Sequence, residues 1–150
     1  MILKIINAIK EENTKNKVPL FIGVDEEGGR ISRLPELTKL PTNKEIGLRK
    51  DASFSYDIGK LLGKELSAFG FNLNFAPVLD INSNPDNPII GDRSFGTNAQ
   101  LVSELGLQTM EGIRSEHVIP VVKHFPGHGD TAVDSHKELP IIQKSLKDLH

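Results

Sequence analysis

Residues 119–136 read IPVVKHFPGHGDTAVDSH. The first four are an apolar run of strand length, suited to burial. The chain then passes at once into a loop carrying Lys123, His124, His128, Asp130, Asp134 and His136, and three of the five histidines fall within the thirteen positions from 124 to 136. Pro126, Gly127 and Gly129 prevent a helix there. Titratable groups packed this densely at the end of a buried strand are costly to desolvate unless they are paired or used. The pattern of apolar strand followed by polar loop is the unit from which the rest of the chain is read.

The same unit occurs twice upstream. Residues 18–24 (VPLFIGV) are a continuous apolar run suited to a strand buried on both faces, and they run into DEEGGR at 25–30. Residues 71–80 (FNLNFAPVLD) read as a further strand, followed by a loop at 82–98 that contains GDRSFG. That loop is longer than the usual 2–6 residues of a strand-to-helix connection, which points to function. Helices fill the intervals. Ile2, Ile5, Ile6 and Ile9 recur at helical spacing at the N-terminus. Thr42 and Glu45 are placed as a capping box, and residues 53–69 carry Ile58, Leu61, Leu62, Leu66 and Phe69 on one face, with Gly70 as the stop. Thr97 and Gln100 form a second capping-box pattern before a helix that ends near Ser115. Residues 140–142 are a fourth candidate strand or loop, and 143–150 the start of another helix.

Strands alternating with helices predict an α/β fold of parallel βαβ units, with the three enlarged loops at the strands' C-terminal ends lining one pocket. A (β/α)8 barrel takes about 250 residues. The three or four strands of this chain therefore lead us to expect the N-terminal part of a larger enzyme.

The bulk properties narrow the field. A length of 150 residues favours one domain, and 37% hydrophobic with 25% charged residues fits a globular protein. A net charge of −2 with dispersed Lys and Arg gives no reason to expect nucleic acid. With no cysteine, thiolate metal sites and disulfides are excluded. No apolar run approaches the roughly 20 residues of a membrane span, and the N-terminus does not read as a signal peptide. A cytoplasmic location is expected, with export open if the natural start lies upstream.

Several residue groups are candidates for chemistry. Asp134 and His136 stand two apart and can face the same side of a turning segment. A carboxylate there orients the imidazole and suits it to general acid/base work. Lys123 and His124, at a strand end, can donate to sugar hydroxyls, a phosphate or a carboxylate. Asp25 can accept from vicinal hydroxyls, Glu26 and Glu27 read as including a solvated acid, and Arg30 as a local partner. Arg93 offers a fork of donors and Asp92 a loop-bracing ion pair. His124, His128, Asp134 and His136 are an alternative metal-ligand set. Residues 127–132 match G-x-G-x-x-A, but a dinucleotide fingerprint must open a helix and this stretch runs toward a proline. No cofactor is expected.

KHFPGHGDTAVDSHKELP, IGVDEEGGRISRL, FNLNFAPVLDIN and GDRSFG, in their order along the chain, resemble the glycoside hydrolase family 3 N-terminal domain. More narrowly they resemble its β-N-acetylglucosaminidase branch of the bacterial peptidoglycan-recycling type, which the long D-x-H loop separates from the β-glucosidases. The resemblance implies a TIM-like (β/α)8 barrel, here incomplete at its first three to four units. Residues 1–150 would be the N-terminal part of one catalytic domain. It implies retaining hydrolysis of terminal non-reducing β-linked N-acetylglucosamine, with His136 as acid/base paired to Asp134. The sugar-binding residues would be Asp25, Arg93, Lys123 and His124, with no metal, and the partner would be a small carbohydrate. The family's nucleophilic aspartate matches nothing here and is expected beyond residue 150, so the 150 residues alone are expected to be inactive. A metal-dependent hydrolase and a non-catalytic sugar-binding fragment are the alternatives.

Overall fold

The computed structural model describes residues 1–142, 144 and 145. The helix start expected at 143–150 falls, except for residues 144 and 145, outside the described residues. Helix α1 (Ile2–Asn13) leads into strand β1 (Gly23–Val24), then α2 (Asn43–Arg49), α3 (Ala52–Phe69) and β2 (Leu73–Asn74). A 3-10 turn (Gly91–Arg93), α4 (Ala99–Ser115) and β3 (Ile119–Pro120) complete the order. The three strands form one parallel sheet in the order β1-β2-β3, with Gly23, Leu73 and Ile119 in register. The βαβ reading therefore holds, and all three strand-end loops leave from the same edge.

The regular ladder is only two residues long in each strand, where the apolar runs suggested more. Side-chain amides extend it. Asn72 accepts from the Ile22 amide at 2.7 Å and donates to the Leu20 carbonyl at 2.7 Å. Buried Asn74 does the same for Glu26, accepting from its N–H at 3.0 Å and donating to its carbonyl at 2.8 Å. The two asparagines of FNLNF thus carry the ladder on where the backbones diverge, and they fix the path of β1 into its loop. The run at 18–24 is not buried on both faces: Val18 is 73% and Phe21 72% exposed. No layer covers that side of the sheet among the described residues. Residues 140–142 form no strand, and Ile141 is exposed.

Helices α3 and α4 pack closely because small residues face each other. The buried face of α3 is Ser55, Gly59, Leu62, Gly63 and Leu66, at the helical period. A Cβ on Gly59 would lie 2.1 Å from the Thr109 carbonyl oxygen, and one on Gly112 2.2 Å from that of Tyr56. The buried Ser55 hydroxyl donates to the Leu105 carbonyl at 2.8 Å and sits 2.9 Å from the Thr109 hydroxyl, so the close approach leaves no polar atom unpaired there. Leu62, Leu66, Ile113, Val118 and Leu34 form one core cluster; Ile46, Phe95, Val102 and Leu105 form the other.

The helix ends follow their chemistry. The Thr42–Glu45 capping box is complete. Gly70 closes α3 in the left-handed region at φ 93°. At α4 the cap is Asn98, whose side chain accepts from the Leu101 N–H at 3.0 Å, rather than Thr97. Asparagine is a better cap than threonine and stands one position nearer the helix. Among the described residues no helix is long and apolar enough to cross a membrane.

Candidate active site

The three strand-end loops meet in one hydrogen-bonded network. From β1's loop come Asp25 and Glu27, from the loop after β2 come Asp80 and Arg93, and Lys123 and His124 follow β3. Lys123 Nζ lies 2.8 Å from Asp25 Oδ1 and 2.6 Å from Glu27 Oε1. Glu27 also receives the Arg93 guanidinium on both oxygens, at 2.9 and 2.8 Å. Arg93 Nη2 is 3.5 Å from His124 Nε2, and His124 Nδ1 is 2.5 Å from Asp80 Oδ2. The four residues expected to bind sugar, Asp25, Arg93, Lys123 and His124, are thus joined side by side. Asp25 is half exposed at the open side, while the Arg93 and Lys123 side chains are 12% and 15% exposed.

Two carboxylates organise this group, and sequence reasoning did not single out either of them. Glu27 is buried, not solvated, as is its neighbour Glu26, which accepts from the Arg33 and Leu34 amides. Burial works to raise the Glu27 pKa, but hydrogen bonds from Arg93 and Lys123 outweigh it and hold the carboxyl below its ordinary value. The same pair, read from the other side, raises Arg93. Asp80 is fully buried in its side chain. Burial again opposes ionisation there, and the His124 ring with the His128 and His124 amides overcomes it, leaving Asp80 lowered. Asp80 ends the apolar run FNLNFAPVLD just as Asp25 ends VPLFIGV, so the signal for it was present. Arg30 pairs with Asp92 at 2.7 Å and with the Ile89 carbonyl, a brace across the two loops rather than a local contact.

Within the segment 126–129, which glycine and proline make look flexible, His128 and Gly129 are pinned. The His128 amide donates to Asp80 Oδ1 at 2.5 Å. The buried Asn87 amide donates to the His128 and Thr131 carbonyls, each at 2.8 Å. Asn84 N–H reaches the Gly129 carbonyl at 3.1 Å, and Asp130 pairs with Ser83 and Lys144. Gly129 packs so closely that a Cβ would stand 1.8 Å from the Ile81 carbonyl oxygen.

Beyond that stem, Asp134 and His136 are held to each other. Asp134 Oδ1 accepts from the His136 N–H at 2.9 Å and lies 2.8 Å from its Nδ1. The His136 backbone and ring together hold the Asp134 carboxyl below its ordinary value. The His136 side chain is 82% exposed. Among the described residues no hydrogen bond or ion pair ties this pair to the Lys123–Arg93 network. Nor do His124, His128, Asp134 and His136 converge: among the described residues no three His, Asp or Glu side chains gather as an ion's ligands would. His124 and His128 meet edge to face, with ring centroids 6.1 Å apart.

The model of the glycosyl hydrolase family 3 N terminal domain matches residues 2–150. The chain belongs to this family. It is 41% identical over 148 residues to Beta-hexosaminidase A of Pseudoalteromonas piscicida, covering 94% of this chain and 25% of that protein. Among solved structures, it resembles a glycoside hydrolase family 3 β-N-acetylglucosaminidase from Paenibacillus sp. FPU-7 at TM-score 0.95 and 43% identity, over 99% of this chain and 28% of that one. It also resembles NagZ from Neisseria gonorrhoeae in complex with N-trifluoroacetyl-D-glucosamine, at TM-score 0.88 and 35% identity, over 99% of this chain and 45% of that one. This family 3 segment thus spans between a quarter and a half of the length of these relatives.

Proposed function

We propose that this chain is the N-terminal part of a retaining exo-β-N-acetylglucosaminidase, comprising the first three strands of a TIM-like barrel with their helices. Its substrate would be a glycan ending in β-linked N-acetylglucosamine, such as a peptidoglycan fragment, handled in the cytoplasm. Asp25, Arg93, Lys123 and His124 bind the terminal sugar. Support comes from the meeting of these four residues, from three strand ends, in a network that already holds their donors and acceptors in place. The names of the hexosaminidase relatives point to the same substrate class.

The Asp134–His136 pair supplies acid/base chemistry in this reading. Asp134, kept ionised, accepts from Nδ1 and leaves Nε2 as the atom that exchanges a proton with substrate. In the first step an aspartate carried beyond residue 150 attacks the anomeric carbon. The glycosidic C–O bond breaks, and His136 Nε2 gives its proton to the departing oxygen. In the second step the same nitrogen takes a proton from water as the water oxygen displaces the aspartate, so configuration is retained overall. For this the exposed His136 must swing toward the Lys123–Arg93 network when sugar is bound.

The test is the stereochemistry of the first product. Full-length protein given an aryl N-acetyl-β-glucosaminide should release N-acetylglucosamine first as the β anomer, followed by proton NMR before mutarotation. Release first as the α anomer, or no release, would contradict the reading.

A further inference from the structure

Asp80 is placed to set both ends of the site with one carboxylate. Its Oδ2 lies 2.5 Å from His124 Nδ1 and 3.3 Å from the His124 amide nitrogen. Its Oδ1 accepts from the His128 amide at 2.5 Å. The side chain has no exposed area, so water cannot substitute for either partner.

The two neighbours of the His124 ring also decide where its proton sits. A carboxylate held ionised only accepts, so Nδ1 carries the hydrogen. A guanidinium only donates, and Arg93 Nη2 faces Nε2 at 3.5 Å, so Nε2 presents its lone pair. His124 thereby becomes an acceptor in a site where Lys123 and Arg93 are donors.

We propose that Asp80 is a positioning residue, an inference that rests on the sugar-binding role given above to His124. Through Oδ2 it fixes the ring orientation and tautomer of His124, and through Oδ1 it anchors the stem of the loop that carries Asp134 and His136. The same buried group therefore sets the sugar-binding face and the point from which the acid/base segment departs. Residues 128–131, clamped by Asp80 and Asn87, move with the sheet, and the swing of His136 is confined to residues beyond Thr131.

The test reads the ring directly. In full-length protein with 15N-labelled histidine, and with the His124 resonances identified by their loss in His124→Ala, Nδ1 should be protonated and Nε2 unprotonated. In Asp80→Asn the amide can turn an N–H toward Nδ1, so the proton should shift to Nε2. A wild-type ring protonated on Nε2, or an unchanged tautomer in Asp80→Asn, overturns the proposal. If Asp80→Asn does not fold, the wild-type spectrum decides alone.

Kinetics supply the second readout. Asp80→Asn should lower kcat/KM about 10- to 100-fold, by analogy with loss of the carboxylate that orients a metal-holding histidine. In a His124→Ala background the same change should cost far less, because asparagine keeps an oxygen for the His128 amide and the ring it no longer orients is gone. Equal losses in both backgrounds would mark Asp80 as merely structural and overturn the assignment. If the protein cleaves no N-acetylglucosaminide, the proposed function fails, while the tautomer measurement still decides Asp80.

Discussion

Glu27 grips Arg93 with both carboxylate oxygens across 66 positions of sequence, Oε2 on Nε at 2.9 Å and Oε1 on Nη2 at 2.8 Å. Oε1 also receives Lys123 at 2.6 Å. One buried anion therefore holds two cations from different strand ends. Glu27→Ala would strip Arg93 of its carboxylate and leave Lys123 only the half-exposed Asp25, in a site of little solvent access. Removing one partner of a buried pair typically costs about 3–5 kcal/mol, so thermal unfolding should show a loss of that order. A loss below about 1 kcal/mol would mean that water holds the two cations equally well.

Acid should weaken the same network. Glu27 and Asp80 are held below their ordinary values of 4.5 and 3.8. A carboxyl depressed by folding contributes stability that is fully present above its unfolded value and is lost as pH falls through the lower folded value. Stability should therefore decline as pH drops below about 4.5, and the decline should be shallower in Glu27→Gln and Asp80→Asn, where the group no longer titrates. Denaturant midpoints measured across that range check it. An unchanged slope in both variants would place the acid-sensitive groups elsewhere.

Gly129→Ala tests whether the loop stem is rigid. The new Cβ would fall 1.8 Å from the Ile81 carbonyl oxygen and 2.6 Å from its carbon, both main-chain atoms. One of the two segments must move, at a cost of about 1–3 kcal/mol by analogy with overpacked cores. Calorimetry should show the lower melting temperature. An unaffected one would mean that the stem yields freely.

Much of this was legible in sequence because it is local. Leu62 and Leu66 of the expected apolar face, the Thr42–Glu45 box and the Gly70 stop depend on neighbours within one or two turns. Ser55, Gly59 and Gly63, by contrast, complete the buried face only because α4 packs on it, and Ile58, Leu61 and Phe69 are only partly buried. Asp25, Lys123 and His124 announced themselves as polar residues ending apolar runs, and Arg93 lay in a loop too long for a plain connection. Glu27 was hidden because its partners lie 66 and 96 residues away, and an acid in DEEGGR looks solvated until two cations are folded over it. The pinning of His128 and Gly129 was hidden for a related reason. Glycine there serves close packing on Ile81, and Asn87 and Asp80, both distant in sequence, satisfy its backbone. The apolar run at 18–24 misled in the opposite direction: its composition suits burial, yet Phe21 stays exposed.

The claim that His136 delivers the proton is tested most directly by leaving-group dependence in the full-length protein. His136→Ala and wild type are compared by kcat/KM, which reports the bond-breaking step, on N-acetyl-β-glucosaminides with a poor alkyl or sugar leaving group and with an activated aryl one. Loss of a general acid should cost about 10²- to 10⁴-fold where the departing oxygen needs its proton. The activated substrate, whose leaving group departs as the anion, should lose far less. Equal losses on both substrates would contradict the acid role of His136.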